Sequence, residues 1–193
     1  MEAYLDNSAT TRVDAQVQEL IKKLMDVDFG NPSSRHQKGV VAEGYIKEAR
    51  QKIAATLKVD PKELIITSGG TESNNMALIG TALAAKRKGN HIITTAVEHP
   101  SVKATASFLE EQGFRITFLS VDSRGQISLE ELKEALTPDT ILVSIMYVNN
   151  EIGTIQPVEE AAKLVHATVP GAVFHVDAIQ AYGKVVIRPK QQG

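Results

Sequence analysis

Four polar clusters in this 193-residue chain follow short apolar runs, and each combines residue types able to hold or act on a ligand. The first, Thr67-Ser68-Gly69-Gly70-Thr71-Glu72-Ser73-Asn74-Asn75, runs small residues into a helix start. Free backbone N–H groups and the helix dipole there favour a phosphate by up to ~2 kcal/mol, and paired glycines let the backbone approach closely. A lone Gly-Gly-Thr reads equally well as a flexible turn, and the run is neither a Gly-Lys-Ser/Thr phosphate loop nor G-x-G-x-x-G. The second cluster, Glu98-His99-Pro100-Ser101, offers an imidazole. A single histidine at a strand end is more often structural than catalytic, so His99 gains weight only from its company. The third, Asn149-Asn150-Glu151-Ile152-Gly153-Thr154, sets amides at the end of an apolar run. An unpartnered amide is costly there, so these contact a ligand or each other. The fourth, His175-Val176-Asp177-Ala178-Ile179-Gln180, ends with a carboxylate in apolar surroundings, which needs a cationic or hydrogen-bonding partner to stay charged.

The elements that must position these clusters follow from periodicity. Strands are expected over 64–67, 91–95, 115–121, 140–148 and 172–176, the fourth as an apolar run suited to burial on both faces. Helices are expected over about 71–88, 101–112 with Gly113 as its closing glycine, 128–136 opened by the capping-box pattern Ser128-Leu129-Glu130-Glu131, and 157–167. Such alternation implies an α/β fold, a mainly parallel sheet with helices on both faces, whose ligands lie at the carboxyl ends of the strands. Residues 1–60 differ. A loop over 29–34 and a long amphipathic helix over about 39–57 make them an N-terminal arm, and 61–193 the α/β domain.

Composition narrows the function classes. Hydrophobic residues at 42% and charged residues at 23% describe an ordinary soluble globular protein. Net charge −2 and a pI near 6.2 give no basic face for nucleic acid. No apolar stretch approaches the roughly 20 residues of a membrane span, and the start carries no secretory signal, so a cytoplasmic location is expected. The absence of cysteine excludes a disulfide framework and a Cys-based metal site, and no metal is expected.

Taken together the clusters resemble the NifS/IscS-type cysteine desulfurases, pyridoxal 5'-phosphate (PLP) enzymes of the class V aminotransferase group. The resemblance runs from Tyr4-Leu5-Asp6-Asn7-Ser8-Ala9-Thr10-Thr11 through Gly30-Asn31-Pro32-Ser33-Ser34-Arg35-His36 to Asp177-Ala178-Ile179-Gln180, and Glu72-Ser73-Asn74-Asn75 resembles the NifS/IscS branch rather than the SufS-like one. It implies that Gly70 and Thr71 hold the PLP phosphate. His99 then stacks on the pyridine ring as the catalytic histidine, and Asp177 pairs with the ring nitrogen. Asn150 and Gln180 sit near the phenolic oxygen, Asn150 also near the substrate carboxylate. It further implies L-cysteine as substrate, a homodimer, and a scaffold protein that accepts sulfur.

The resemblance also implies a lysine, in a Ser/His-Lys motif after the Asp-x-x-Gln strand, that holds the cofactor covalently. No His-Lys pair occurs in this chain, and neither the mobile-loop cysteine nor the distal substrate-clamping arginine is expected within it. Lys184, after Gly183, reads as a solvated connector. The chain is therefore expected to be a truncated, incomplete PLP-binding domain with an exposed apolar edge, inactive alone. Two other readings remain open at this point: another class V PLP enzyme such as a selenocysteine lyase, or a non-catalytic α/β module that binds a phosphate ester.

Overall fold

The computed structural model describes residues 2–193, which divide into two compact units, one ending at Ile65 and the other spanning Ile66–Gly193. In the first unit two helices account for most of the chain. Helix α1 (Ala15–Asp26) is capped by Asp14, whose carboxylate accepts from the N–H of Gln16 at 2.8 Å. Its apolar residues Val17, Leu20 and Ile21 recur at helical spacing, yet none of its residues is buried. This helix was not expected from the sequence. Helix α2 (Gln37–Leu57) ends at Lys58, in the left-handed region at φ 58°. Before it, the loop at 29–34 turns on Asn31, whose Oδ1 accepts from Ser33 N at 2.9 Å and whose carbonyl accepts from Ser34 N at 3.0 Å. A Cβ on Gly39 would lie 2.1 Å from the Ser34 carbonyl oxygen, so only glycine lets α2 start this close to the loop. Asp28 is held below the usual carboxylate range, first by the Tyr45 hydroxyl that donates to it at 2.7 Å and then by Lys23 at 3.3 Å.

The second unit is a four-stranded parallel sheet, β1 (His91–Thr95), β2 (Arg115–Leu119), β3 (Thr140–Ser144) and β4 (Val173–His175), in the spatial order β2-β1-β3-β4. Side-chain alternation along the strands sends neighbours to opposite faces. Ile92 and Leu142 enter a cluster with Leu78 and Ala82 of α3 (Gly70–Ala85) and Val102 and Leu109 of α4 (Pro100–Glu111). Ile93 and Val143 point the other way, onto Leu132 of α5 (Leu129–Ala135) and Val158, Ala161 and Val165 of α6 (Val158–Thr168). Helices thus cover both faces, as the alternation of elements implied. Each fully buried Leu or Ile stabilises this arrangement by roughly 1.5–3 kcal/mol. A four-residue helix, α7 (Pro189–Gln192), follows.

One expected strand is absent. Residues 64–67 form no ladder, and Ile65 and Ile66 are exposed. A strand is defined by pairing, and its β-branched composition cannot create one without a neighbour to receive its N–H and C=O groups. Strand β3 is also shorter than its apolar run, because beyond Ser144 the pairing thins to single bonds, Ile145 N to His175 O at 3.0 Å and Tyr147 N to Asp177 O at 2.9 Å.

Candidate cofactor site

The chain runs from β1 to β2 on one side and then crosses to β3 on the other side of β1, so strand order reverses between β1 and β3. In open parallel sheets the crevice at such a reversal, at the carboxyl ends, is where ligands bind. Residues just past β1 and β3 knit this point together. Glu98 Oε1 accepts from Thr95 Oγ1 at 2.8 Å and from Met146 N at 2.8 Å, while Asn149 Nδ2 donates to Val97 O at 3.0 Å. Burial pushes the Glu98 carboxyl up to about 7 against those two hydrogen bonds, with the nearby charge of Asp177 adding to the rise. Glu98 Oε2 and Thr94 Oγ1 are buried without a hydrogen-bond partner among the described residues.

The first polar cluster forms the start of α3. Glu72 Oε2 accepts from both the N–H and the hydroxyl of Ser68 at 2.6 Å, which curls the loop and holds the Glu72 carboxyl below its ordinary range. Gly69, the residue before the helix, provides no side-chain cap, so the first-turn N–H groups are left for another acceptor. Thr71 is exposed there. A Cβ on Gly70 would lie 1.9 Å from Ile179 Cδ1, which brings the start of α3 against the segment that follows Asp177.

Asp177, 6% exposed, lies two residues past β4. Its Oδ2 accepts from Asn74 Nδ2 at 2.8 Å and its Oδ1 from Ile179 N at 3.1 Å. His99 is half-buried and caps α4, with Nδ1 accepting from Ser101 N at 3.1 Å. Asn74 also donates to Ser101 Oγ at 3.0 Å, and Ser101 Oγ lies 2.9 Å from His99 Nδ1. His99 and Asp177 are therefore brought together through two side chains, and Gly70 is brought beside them through Ile179. Gln180 follows three residues after Asp177 and accepts from the exposed Lys184 at 2.9 Å.

Asn150 sits half-buried in the loop beyond β3, three residues after Tyr147, whose N–H donates to the Asp177 carbonyl. Its neighbour Asn149 is committed elsewhere: besides the bond to Val97, its Oδ1 accepts from Glu151 N at 2.9 Å and Ile152 N at 3.0 Å. The two amides do not bond each other; Asn149 braces the loop. Asn74 and Ser101 had no assigned role in the sequence, although both lie in the singled-out clusters. His175 is held below its ordinary range by burial, opposed by Asp177, and its Nδ1 lies 2.9 Å from Ser144 Oγ.

Chemically, this edge can hold an anion at an uncapped helix start, a cationic N–H at a buried carboxylate, and a flat ring against an imidazole. These features describe an α/β domain with a candidate ligand site at the carboxyl edge of a parallel sheet. The chain belongs to the aminotransferase class-V family, whose pattern matches residues 3–193. It is 48% identical over 187 residues to a "Putative cysteine desulfurase IscS 1" of Bacillus subtilis, covering 97% of this chain and 49% of that protein. It is 47% identical over 192 residues to a "Cysteine desulfurase IscS" of Dictyoglomus turgidum, covering 100% of this chain and 48% of that one. Among solved structures, a "NIFS-LIKE PROTEIN" superimposes with a TM-score of 0.96 at 42% identity over 100% of this chain and 53% of its own. "SspA in complex with cysteine" gives 0.93 at 38% identity, over 98% and 54%. The chain spans about half the length of the relatives it matches.

Proposed function

We propose that this chain holds PLP non-covalently as part of a cysteine desulfurase, a cytoplasmic enzyme that takes sulfur from L-cysteine, leaves L-alanine, and passes the sulfur through an enzyme cysteine to a scaffold protein for iron-sulfur cluster or thiolation pathways. The names of the relatives support the substrate. The observation that carries the reading is the buried Asp177 carboxylate, joined to His99 through Asn74 and Ser101, beside the uncapped start of α3 at Gly70.

The donor set suits the cofactor group by group. Gly70 and Thr71 offer N–H groups and a hydroxyl to its phosphate, Asp177 offers an acceptor to its protonated ring nitrogen, and His99 offers a face to its ring. Gln180 and Asn150 are the amides for its phenolic oxygen, Asn150 also for the substrate carboxylate. When bound, PLP supplies an electron sink for carbanionic charge. The residues of this chain bind and orient it, and Asp177 holds the proton on the ring nitrogen. With no cysteine in its sequence the chain carries no sulfur-accepting thiol, and we expect it to be inactive alone. The exposed apolar residues of α1, Val17, Leu20, Ile21 and Met25, suit burial in a homodimer.

Equilibrium titration with PLP, and separately with glycerol phosphate, tests this reading. Binding of PLP at least tenfold tighter than the plain ester is the expected result, because the ester lacks a ring for His99 and Asp177. Equal affinities would leave a general phosphate-ester module in its place.

A further inference from the structure

Asp177 and His99 belong to elements far apart in sequence, and the polar path between them is continuous. Asn74 is 3% exposed in the core-facing side of α3 and Ser101 is 7% exposed in the first turn of α4. An amide nitrogen can only donate, so the two hydrogens of Asn74 Nδ2 go to Asp177 Oδ2 at 2.8 Å and to Ser101 Oγ at 3.0 Å. The Ser101 N–H donates to His99 Nδ1, which makes Nδ1 an acceptor and puts the proton of the neutral ring on Nε2. With its oxygen accepting from Asn74, the Ser101 hydroxyl has its own hydrogen for Nδ1, 2.9 Å away. Thr105 Oγ1 reaches the Ser101 carbonyl at 2.8 Å and Asn75 Oδ1 at 2.7 Å, tying α4 to α3 beside the path. The donors therefore run outward from Asn74, to Asp177 at one end and through Ser101 to His99 Nδ1 at the other, and both ends accept.

We propose that Asn74 is a positioning residue that, through the Ser101 hydroxyl, sets the orientation of the His99 imidazole in register with the Asp177 carboxylate, so that the two groups flanking the cofactor ring act as one hydrogen-bonded unit. This rests on the cofactor reading only for its use. The unit itself is made entirely by this chain's own side chains. Its consequence is that a change at Asn74, which donates to Asp177 and to Ser101, is felt at the His99 ring.

The test is made on the complete 193-residue chain with 15N-labelled histidine. Long-range 1H–15N spectra read the Nδ1 and Nε2 shifts of His99 without PLP, and titration then gives the PLP affinity. The unaltered chain should show an unprotonated Nδ1 and a protonated Nε2. Ser101→Ala, which keeps the backbone N–H cap and with it the tautomer, should move the Nδ1 shift to higher frequency as that nitrogen loses its hydroxyl hydrogen bond. Asn74→Ala should move it the same way and weaken PLP by roughly fivefold, the loss of one buried hydrogen bond. A purely packing role for Asn74 would lower stability and leave the His99 nitrogens where they were, and that result, in folded Asn74→Ala, overturns the proposal. If Asn74→Ala does not fold, an unmoved Nδ1 in Ser101→Ala overturns it equally. Moved His99 shifts in a chain that never binds PLP would sustain the unit and contradict the cofactor reading alone.

Discussion

Glu98 Oε1 accepts the backbone N–H of Met146 at 2.8 Å, joining the ends of β1 and β3 where strand order reverses. The same burial that makes this brace possible lifts the carboxyl from its ordinary 4.5 to about 7. A raised acid keeps its proton in the folded chain while the unfolded chain has lost it. Glu98 therefore lowers stability as pH climbs from about 4.5 to about 7, by about 3 kcal/mol at most. His91, wholly buried between Thr140 and Thr117, does the reverse: burial lowers it to about 4, so it raises stability as pH climbs from about 4 to its ordinary 6.5. His175 adds to the His91 direction. Glu98 thus opposes the two histidines in the unaltered chain. Glu98→Gln should remove that opposition, so that its urea midpoints rise more steeply between pH 4.5 and 6.5 than those of the unaltered chain. Parallel profiles for the two proteins would show that Glu98 is not a raised, buried acid.

Gly125 adopts φ +79° in the turn that carries β2 toward α5, where its N–H donates to Asp122 O at 2.9 Å and its carbonyl accepts from Gln156 Nε2 at 2.7 Å. A Cβ there would also meet Ile152 Cδ1 at 2.4 Å, though that side chain is exposed and can turn away. The backbone cost decides the outcome. Gly125→Ala should lower the unfolding free energy by about 1–2 kcal/mol, and Gly125→Asn by less, since asparagine tolerates the left-handed region. Chemical denaturation of the two variants checks the order; an alanine variant as stable as the glycine parent would contradict the geometry.

Most of the sheet and its helices could be anticipated from the sequence because their cause is local: β-branched runs, the closing Gly113, and the Ser128 cap that accepts from Glu131 N. The misses have equally physical causes. Residues 64–67 have strand composition and no partner, and composition cannot report a partner. Helix α1 falls in the segment expected only as an arm, although the Asp14 cap and the helical spacing of Val17, Leu20, Ile21 and Leu24 were both legible. Of the site, the clusters were visible as residue types at strand ends. The Asn74 link was not, because its partners lie 27 and 103 residues away and only packing of α3 against α4 and β4 brings them within reach.

Supplied with L-cysteine and PLP, the chain alone should release no alanine or sulfide beyond what the same PLP produces without protein. It has no cysteine to take the sulfur, and Lys184 is exposed and bonded to Gln180 at 2.9 Å. Borohydride reduction should accordingly label its lysines at a low, scattered level. Protein-dependent turnover, or stoichiometric labelling of Lys184, would contradict this.

The central claim is that Asp177 anchors PLP, and the most direct measurement is the PLP affinity of the unaltered chain against Asp177→Ala and Thr71→Ala, followed by cofactor absorbance or fluorescence. Removing the partner of a buried charge costs roughly 3–5 kcal/mol, so Asp177→Ala should abolish detectable binding. Thr71→Ala should lose only about 1 kcal/mol, because the N–H groups at the start of α3 remain. The account predicts that order. Binding by Asp177→Ala as tight as by the unaltered chain would contradict it.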